Sequence, residues 1–173
     1  MFPIDMNSLF EFLEKTQGIE QMDKHHPEGD VLNHSLQVLY WAFKESIDTD
    51  LILAAMLHDI GKIENSKGHE KIAVEWLQDY VSPKTLWLIE HHMRIWTLIK
   101  GDMRKQKKVL ELIEHPWLPE LILLARWDSI GRDPNKKIIY DKEDIQKRLD
   151  RCTEQHFKLF YTNEPKLIIK EVD

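Results

Sequence analysis

Nine histidines occur among 173 residues, and what they can do depends on which helical faces carry them. His34 shares a stripe with Val31, Val38 and Ala42 by three- and four-residue steps. His58 follows Leu51, Ala54 and Ala55 in the same way, and His69 opens the row Ala73, Trp76, Leu77 and Tyr80. His92 aligns with Leu88, Ile95 and Ile99, whereas His91 points about 100° away beside Trp87 and Arg94. His92 is therefore the better inward candidate, with His91 as the alternative. Asp128 completes the row Leu121, Leu124 and Ala125, and Asp59 directly follows His58. A single hydrogen-bonded imidazole in a core is ordinary. Four of them with two carboxylates are not, because an unpaired buried carboxylate costs several kcal/mol.

A cation neutralises all six groups at once. Mixed imidazole and carboxylate donors suit Mn, Fe, Co, Ni or Zn better than Mg or Ca, which prefer oxygen shells. Four His and two Asp exceed one tetrahedral shell, so two divalent ions bridged by one carboxylate form the economical arrangement. Cys152 is the sole cysteine, which excludes a cysteine-based zinc site and an internal disulfide. His25 and His26 read as loop residues near the mouth of such a site, and His115 and His156 as ordinary surface or packing residues.

These side chains must be positioned by helices, since helical periodicity recurs throughout and no alternating strand pattern or internal repeat is found. The fold class is all-α, a bundle of about seven to eight helices. A first helix starts at Ser8, with Glu11 closing a capping box, and buries Leu9, Phe10, Phe12 and Leu13. A second is capped by Asp30 and runs to about Ser46. Asp48 or Thr49 opens a third, apolar from Leu51 to Ile60, with Gly61 as its left-handed stop. The fourth runs from about His69 to Tyr80. Ser82-Pro83 starts a fifth, ended or interrupted by Gly101. The sixth spans roughly Met103 to Glu114, and the seventh Pro119 to Ile130 with Gly131 behind it. The last, about Asp141 to Phe160, turns Ile145, Leu149, Cys152 and Leu159 inward. Beyond Pro165, Leu167 to Ile169 form a short apolar tail suited to docking on the body or on a partner subunit.

With an apolar share of 42% and a length close to the roughly 150 residues typical of one domain, residues 1–173 are expected to form a single domain. Its core motifs lie in 25–133, and its C-terminal helix and tail in 141–173. No apolar run approaches the roughly 18 residues of a membrane span, and Met1 to Glu14 lack a basic leader, so a soluble cytoplasmic protein without a membrane partner is expected. The net charge of −6 argues against a bulk electrostatic grip on nucleic acid. The densest basic stretch, Lys100, Arg104, Lys105, Lys107 and Lys108, reads as the solvated side of a helix or, alternatively, as a local strip meeting phosphates. No glycine-rich phosphate loop is present, so nothing suggests ATP-driven transfer.

The string Leu57-His58-Asp59-Ile60-Gly61-Lys62, with His34 upstream and Asp128 downstream, resembles the HD-domain superfamily of metal-dependent phosphohydrolases. His26-Pro27-Glu28-Gly29-Asp30-Val31, Gly68-His69-Glu70 and His92-Met93 are more narrowly similar to the HD module of bacterial CCA-adding tRNA nucleotidyltransferases. The likeness covers about residues 25 to 133 and lacks the nucleotidyltransferase domain, so it does not imply tRNA end synthesis. It implies that His34, His58, Asp59 and Asp128 hold a first metal and that Asp59, His69 and His92 hold a second. It also implies that Lys62 meets a substrate phosphate, with Arg132 a weaker candidate. The expected reaction is hydrolysis of a phosphomonoester or cyclic phosphodiester of a nucleotide or RNA terminus. Metal-activated water is the nucleophile, and Asp59 orients it or takes its proton. Two alternatives follow from the same resemblance: a di-iron oxygenase, and a nucleotide-binding module without turnover. The partner is then a small nucleotide or an RNA-end phosphate, and an oligomer is compatible with the tail.

Overall fold

The computed structural model describes residues 4–21 and 24–161, which form helices and connecting turns with no strand among them. In chain order the helices are α1 (Met6–Glu14), α2 (Val31–Glu45), α3 (Thr49–Leu57), α4 (His69–Leu77), α5 (Pro83–His91), α6 (Arg94–Ile99), α7 (Gln106–Ile113), α8 (Leu118–Ile130) and α9 (Lys142–Tyr161), with a single 3-10 turn, Ile60–Ile63, after α3. The all-α expectation holds.

The α3 segment explains the architecture. Every residue from Leu51 to Leu57 is buried, and a helix apolar on all sides can only be a central one. It packs against α1, α2, α5, α8 and α9. Asp48 starts it, accepting hydrogen bonds from the backbone N–H groups of Asp50 at 3.0 Å and Leu51 at 3.3 Å. Such a cap stabilises a helix by about 1 kcal/mol. The same carboxylate receives Lys84 Nζ at 2.6 Å, tying α5 to the start of α3. On α8, Trp127 is fully buried and donates its indole N–H to Glu45 Oε1 at 2.6 Å, fixing the end of α2.

Five local expectations change. The first helix is capped by Asp5, not Ser8; Ser8 donates its backbone N–H and its hydroxyl to that carboxylate, at 3.2 and 2.7 Å. Gly61 is not a left-handed stop. It lies inside the 3-10 turn, where a Cβ would stand 1.9 Å from the carbonyl oxygen of His69, so its role is close approach of two backbones. The fifth helix divides at His92 and Met93 into α5 and α6, and Gly101, with φ +74°, follows the second piece. The sixth is shorter than its apolar pattern, Gln106–Ile113, and the fourth ends at Leu77. Ile145, Leu149 and Cys152 of α9 are buried as expected. The side chain of Leu159 and the tail Leu167 to Ile169 lie outside the described residues.

Candidate metal centre

Adjacent residues on a regular helix diverge by about 100°, so His58 and Asp59 could not face one point if α3 continued through them. The helix ends at Leu57, and Asp59 adopts φ −107°, ψ 6°, the sparsely populated bridge region frequent at functional positions. Both side chains then face the same interior volume. His34 enters from the first turns of α2. His69 is the first residue of α4, behind Gly68 at φ +73°, and His92 sits in the elbow between α5 and α6. Asp128 comes from the last turn of α8. Six residues separated by up to 94 positions thus meet in one place, and each is 5% exposed or less.

The contacts divide around Asp59. Its Oδ2 lies 3.3 Å from His58 Nε2 and 3.6 Å from His34 Nε2. Asp128 Oδ1 completes that group, 2.9 Å from His34 Nε2 and 3.6 Å from His58 Nε2. The other oxygen, Asp59 Oδ1, lies 3.0 Å from His69 Nε2 and 3.5 Å from His92 Nε2. His34, His58 and Asp128 are close enough together to share one ion, and so are His58, Asp59 and His92.

The imidazoles all present the same nitrogen. His58 Nδ1 donates to the carbonyl of Ala55 at 2.9 Å, His69 Nδ1 to Ser66 at 2.8 Å, and His92 Nδ1 to Ile89 at 2.6 Å. His34 Nδ1 donates to Gly131 O at 2.9 Å and lies 2.8 Å from Glu28 Oε1. A carbonyl only accepts, so each Nδ1 carries a proton and each ring turns its Nε2 toward the centre, as a lone pair wherever the ring is neutral. The Nε2 atoms of His69 and His92 are 3.1 Å apart, two lone pairs facing one another beside a carboxylate oxygen. His58 Nε2 is buried and has no hydrogen-bond partner. Orphaned donors of this kind call for a proton or a cation between them, and the donor set suits a divalent transition metal.

Charge follows the same division. Burial opposes ionisation of Asp59 and Asp128, but His58 and Lys62 beside the first, and His34 and His58 beside the second, hold both well below the usual carboxylate range. Burial also disfavours protonation of His58, yet the two carboxylates raise it to about 10. His34 is raised against its burial by Asp128 and Glu28. His92 is pushed down, chiefly by burial.

Two cations border the centre. Lys62 Nζ donates to Asp59 Oδ2 at 3.0 Å and to Gln21 Oε1 at 2.8 Å, which leaves one of its three N–H groups uncommitted. Arg132 Nε donates to the Asp128 carbonyl at 3.0 Å and Nη1 to the His25 carbonyl at 2.9 Å, while Nη2 is 3.5 Å from Asp128 Oδ1. His91 turns away from the centre. Its Nδ1 donates to Trp87 O at 2.8 Å and its ring stacks on Trp87, whose own ring also stacks with His115. His26 packs edge-on against His34, with ring centroids 5.0 Å apart; His25 and His156 are exposed.

Sequence reasoning gave Glu28 no role. Its Oε1 receives His26 Nδ1 at 2.9 Å and meets His34 Nδ1, its Oε2 is buried without a partner, and its carboxyl lies at about 2 despite burial because of those two imidazoles. It sits in a loop with no periodicity to betray burial; the only signal was its position six residues before His34.

Residues 31–133 match the HD domain family. The chain is also similar to two proteins described as multifunctional CCA proteins. It is 36% identical over 74 residues to that of Thioalkalivibrio sulfidiphilus, a match covering 39% of this chain, and 33% identical over 76 residues to that of Methylococcus capsulatus, covering 40%. Each match spans only 18% of the relative's own length.

Proposed function

Because this chain belongs to the HD domain family, a superfamily of metal-dependent phosphohydrolases, we propose that it hydrolyses a phosphomonoester or cyclic phosphodiester of a nucleotide or RNA terminus with two divalent transition-metal ions. The observation that carries this reading is the facing pair of Nε2 atoms of His69 and His92, 3.1 Å apart beside Asp59 Oδ1. That arrangement calls for a shared proton or a cation within it, and the buried carboxylate oxygen beside it favours a divalent cation. In this reading His34, His58, Asp59 and Asp128 would hold one ion, and Asp59, His69 and His92 the other.

When bound, the ions supply Lewis acidity, lowering the pKa of a coordinated water from 15.7 toward about 7. Asp59, held ionised, orients the attacking water, whose proton passes to solvent. The water oxygen forms the new bond to phosphorus as the ester oxygen departs. Lys62 places its remaining N–H toward the phosphate, where its charge counts most as negative charge spreads over the transition state. Arg132 braces Asp128 and adds a second positive charge at the rim. The nearly complete burial of the six groups keeps bulk water from screening these interactions.

The test is turnover of a panel of phosphomonoesters and 2',3'-cyclic nucleotides by protein loaded with Mn, Co or Ni. Hydrolysis is expected with at least one metal, and Asp59→Ala is expected to abolish it. An untouched panel across all metals would overturn the reading. Oxygen uptake by the iron-loaded protein would instead favour the oxygenase alternative.

A further inference from the structure

The basic stretch noted in the sequence acquires a shape in the fold. Arg104, Lys105 and Lys108 join Lys71 and Arg94 around a cleft of about 530 Å³. Two residues of its wall, Glu70 and Met93, directly follow His69 and His92 in the chain, so the chain segments that carry two of the centre's imidazoles also carry part of the cleft. None of the five cationic side chains forms a hydrogen bond or ion pair with another described residue. Three acids share the lining, Glu70, Glu90 and Asp102. Of these, Glu70 lies 3.9 Å from His69 Nδ1 and Glu90 4.0 Å from His91 Nδ1. In a chain of net charge −6, a concave group of five cations against three acids, with no ion pair of those cations among the described residues, is a local positive field of the kind that gathers anions.

We propose that this cleft binds a second phosphate of the substrate, so that the molecule hydrolysed carries phosphate beyond the group that reacts. The proposal rests on the phosphohydrolase reading for what reacts, but the cleft's anion binding stands apart from turnover. A nucleoside bisphosphate and an oligonucleotide end share this chemistry, a phosphate one or more sugar units from the reacting one. A ring of exposed, flexible cations suits such a group, because it neutralises charge without demanding one fixed geometry.

The experiment is calorimetric titration of the metal-loaded full chain with three hydrolysis-resistant ligands: uridine 3'-phosphonate, uridine 3',5'-bisphosphonate, and a uridine trinucleotide ending in a 3'-phosphonate. Arg94→Gln combined with Lys105→Gln is compared with wild type and with Lys147→Gln, an exposed cation on α9. Wild type should bind at least one of the two larger ligands about tenfold or more tightly than the single phosphonate. The double variant should lose that advantage and keep the affinity for the single phosphonate; Lys147→Gln should change nothing. For the trinucleotide, the slope of log affinity against log salt should shrink by about 1.4 in the double variant. A gain confined to the trinucleotide identifies a strand end, and a gain already present with the bisphosphonate identifies a free nucleotide. Equal affinity of wild type for all three, or a preference that survives in the double variant, overturns the proposal. Cleft-dependent binding without hydrolysis of the corresponding phosphates would leave this inference standing and remove the reading of the centre as a phosphohydrolase.

Discussion

A carboxylate behind an imidazole fixes its tautomer and strengthens the opposite nitrogen as a ligand. Glu28 stands in that relation to His34, Oε1 to Nδ1 at 2.8 Å, whereas His58, His69 and His92 lean only on backbone carbonyls. Glu28→Gln keeps an oxygen to accept the hydrogen bond and removes the charge. It should weaken metal affinity by about 10- to 100-fold, read by competition with a chromogenic chelator, and should also lower the melting temperature of the metal-free chain at neutral pH, because a carboxylate held at about 2 by two imidazoles stabilises the fold. His34, His58, Asp59, His69, His92 and Asp128 were legible in the sequence because helical stripes and an adjacent His-Asp pair place polar groups where apolar ones belong. Glu28 was not, since burial inside a loop follows from tertiary contacts and leaves no period to read. The choice between His91 and His92 turned on the same 100° step, and the aromatic stack of Trp87 with His91 and His115 explains where the outward ring goes.

The α3 segment and the turn after it show how an element serves the centre. Apolarity on every side announced a buried helix, and Asp48 and Asp30 were readable as caps because a short side-chain acceptor precedes each apolar row. Ser8 misled, because Asp5, three residues earlier, offers a stronger acceptor and wins the capping position. Gly61 was read as a stop because glycine after an apolar run usually marks a left-handed cap. Its φ is not positive; the packing of the 3-10 turn against the first residue of α4 demands the missing Cβ. Gly61→Ala should therefore destabilise the fold by about 1–3 kcal/mol, as overpacking does, and displace His69. Elemental analysis of the purified variant is expected to show a metal-to-protein ratio lower by one than in wild type, and chemical denaturation gives the stability loss.

For the whole molecule, cations and protons compete for the same nitrogens. His58, which holds its proton to about 10 before a cation binds, must release it when one does, and His34 is raised in the same sense. At pH 7 metal uptake should therefore expel one to two protons, and affinity should rise as pH rises toward the value for His58 and fall as the solution is acidified. Calorimetry in two buffers of different ionisation enthalpy counts those protons. Because the six groups come from elements spread along the chain, the unfolded polypeptide offers no comparable site. Metal at 100 times its dissociation constant should then stabilise the fold by about 2.7 kcal/mol, raising the melting temperature by about 5 to 10 °C, and a chelator should reverse the gain.

Three of the four rings take their heading from a carbonyl three residues back in their own chain. Each of those rings is thus carried on a short bracket that sets its own angle through its own chain. What the surrounding helices must preserve through sequence drift is spacing between brackets, a far looser demand than conserving a wall of specific contacts, and most of the surface is free to be rewritten for whatever molecule the centre is asked to meet.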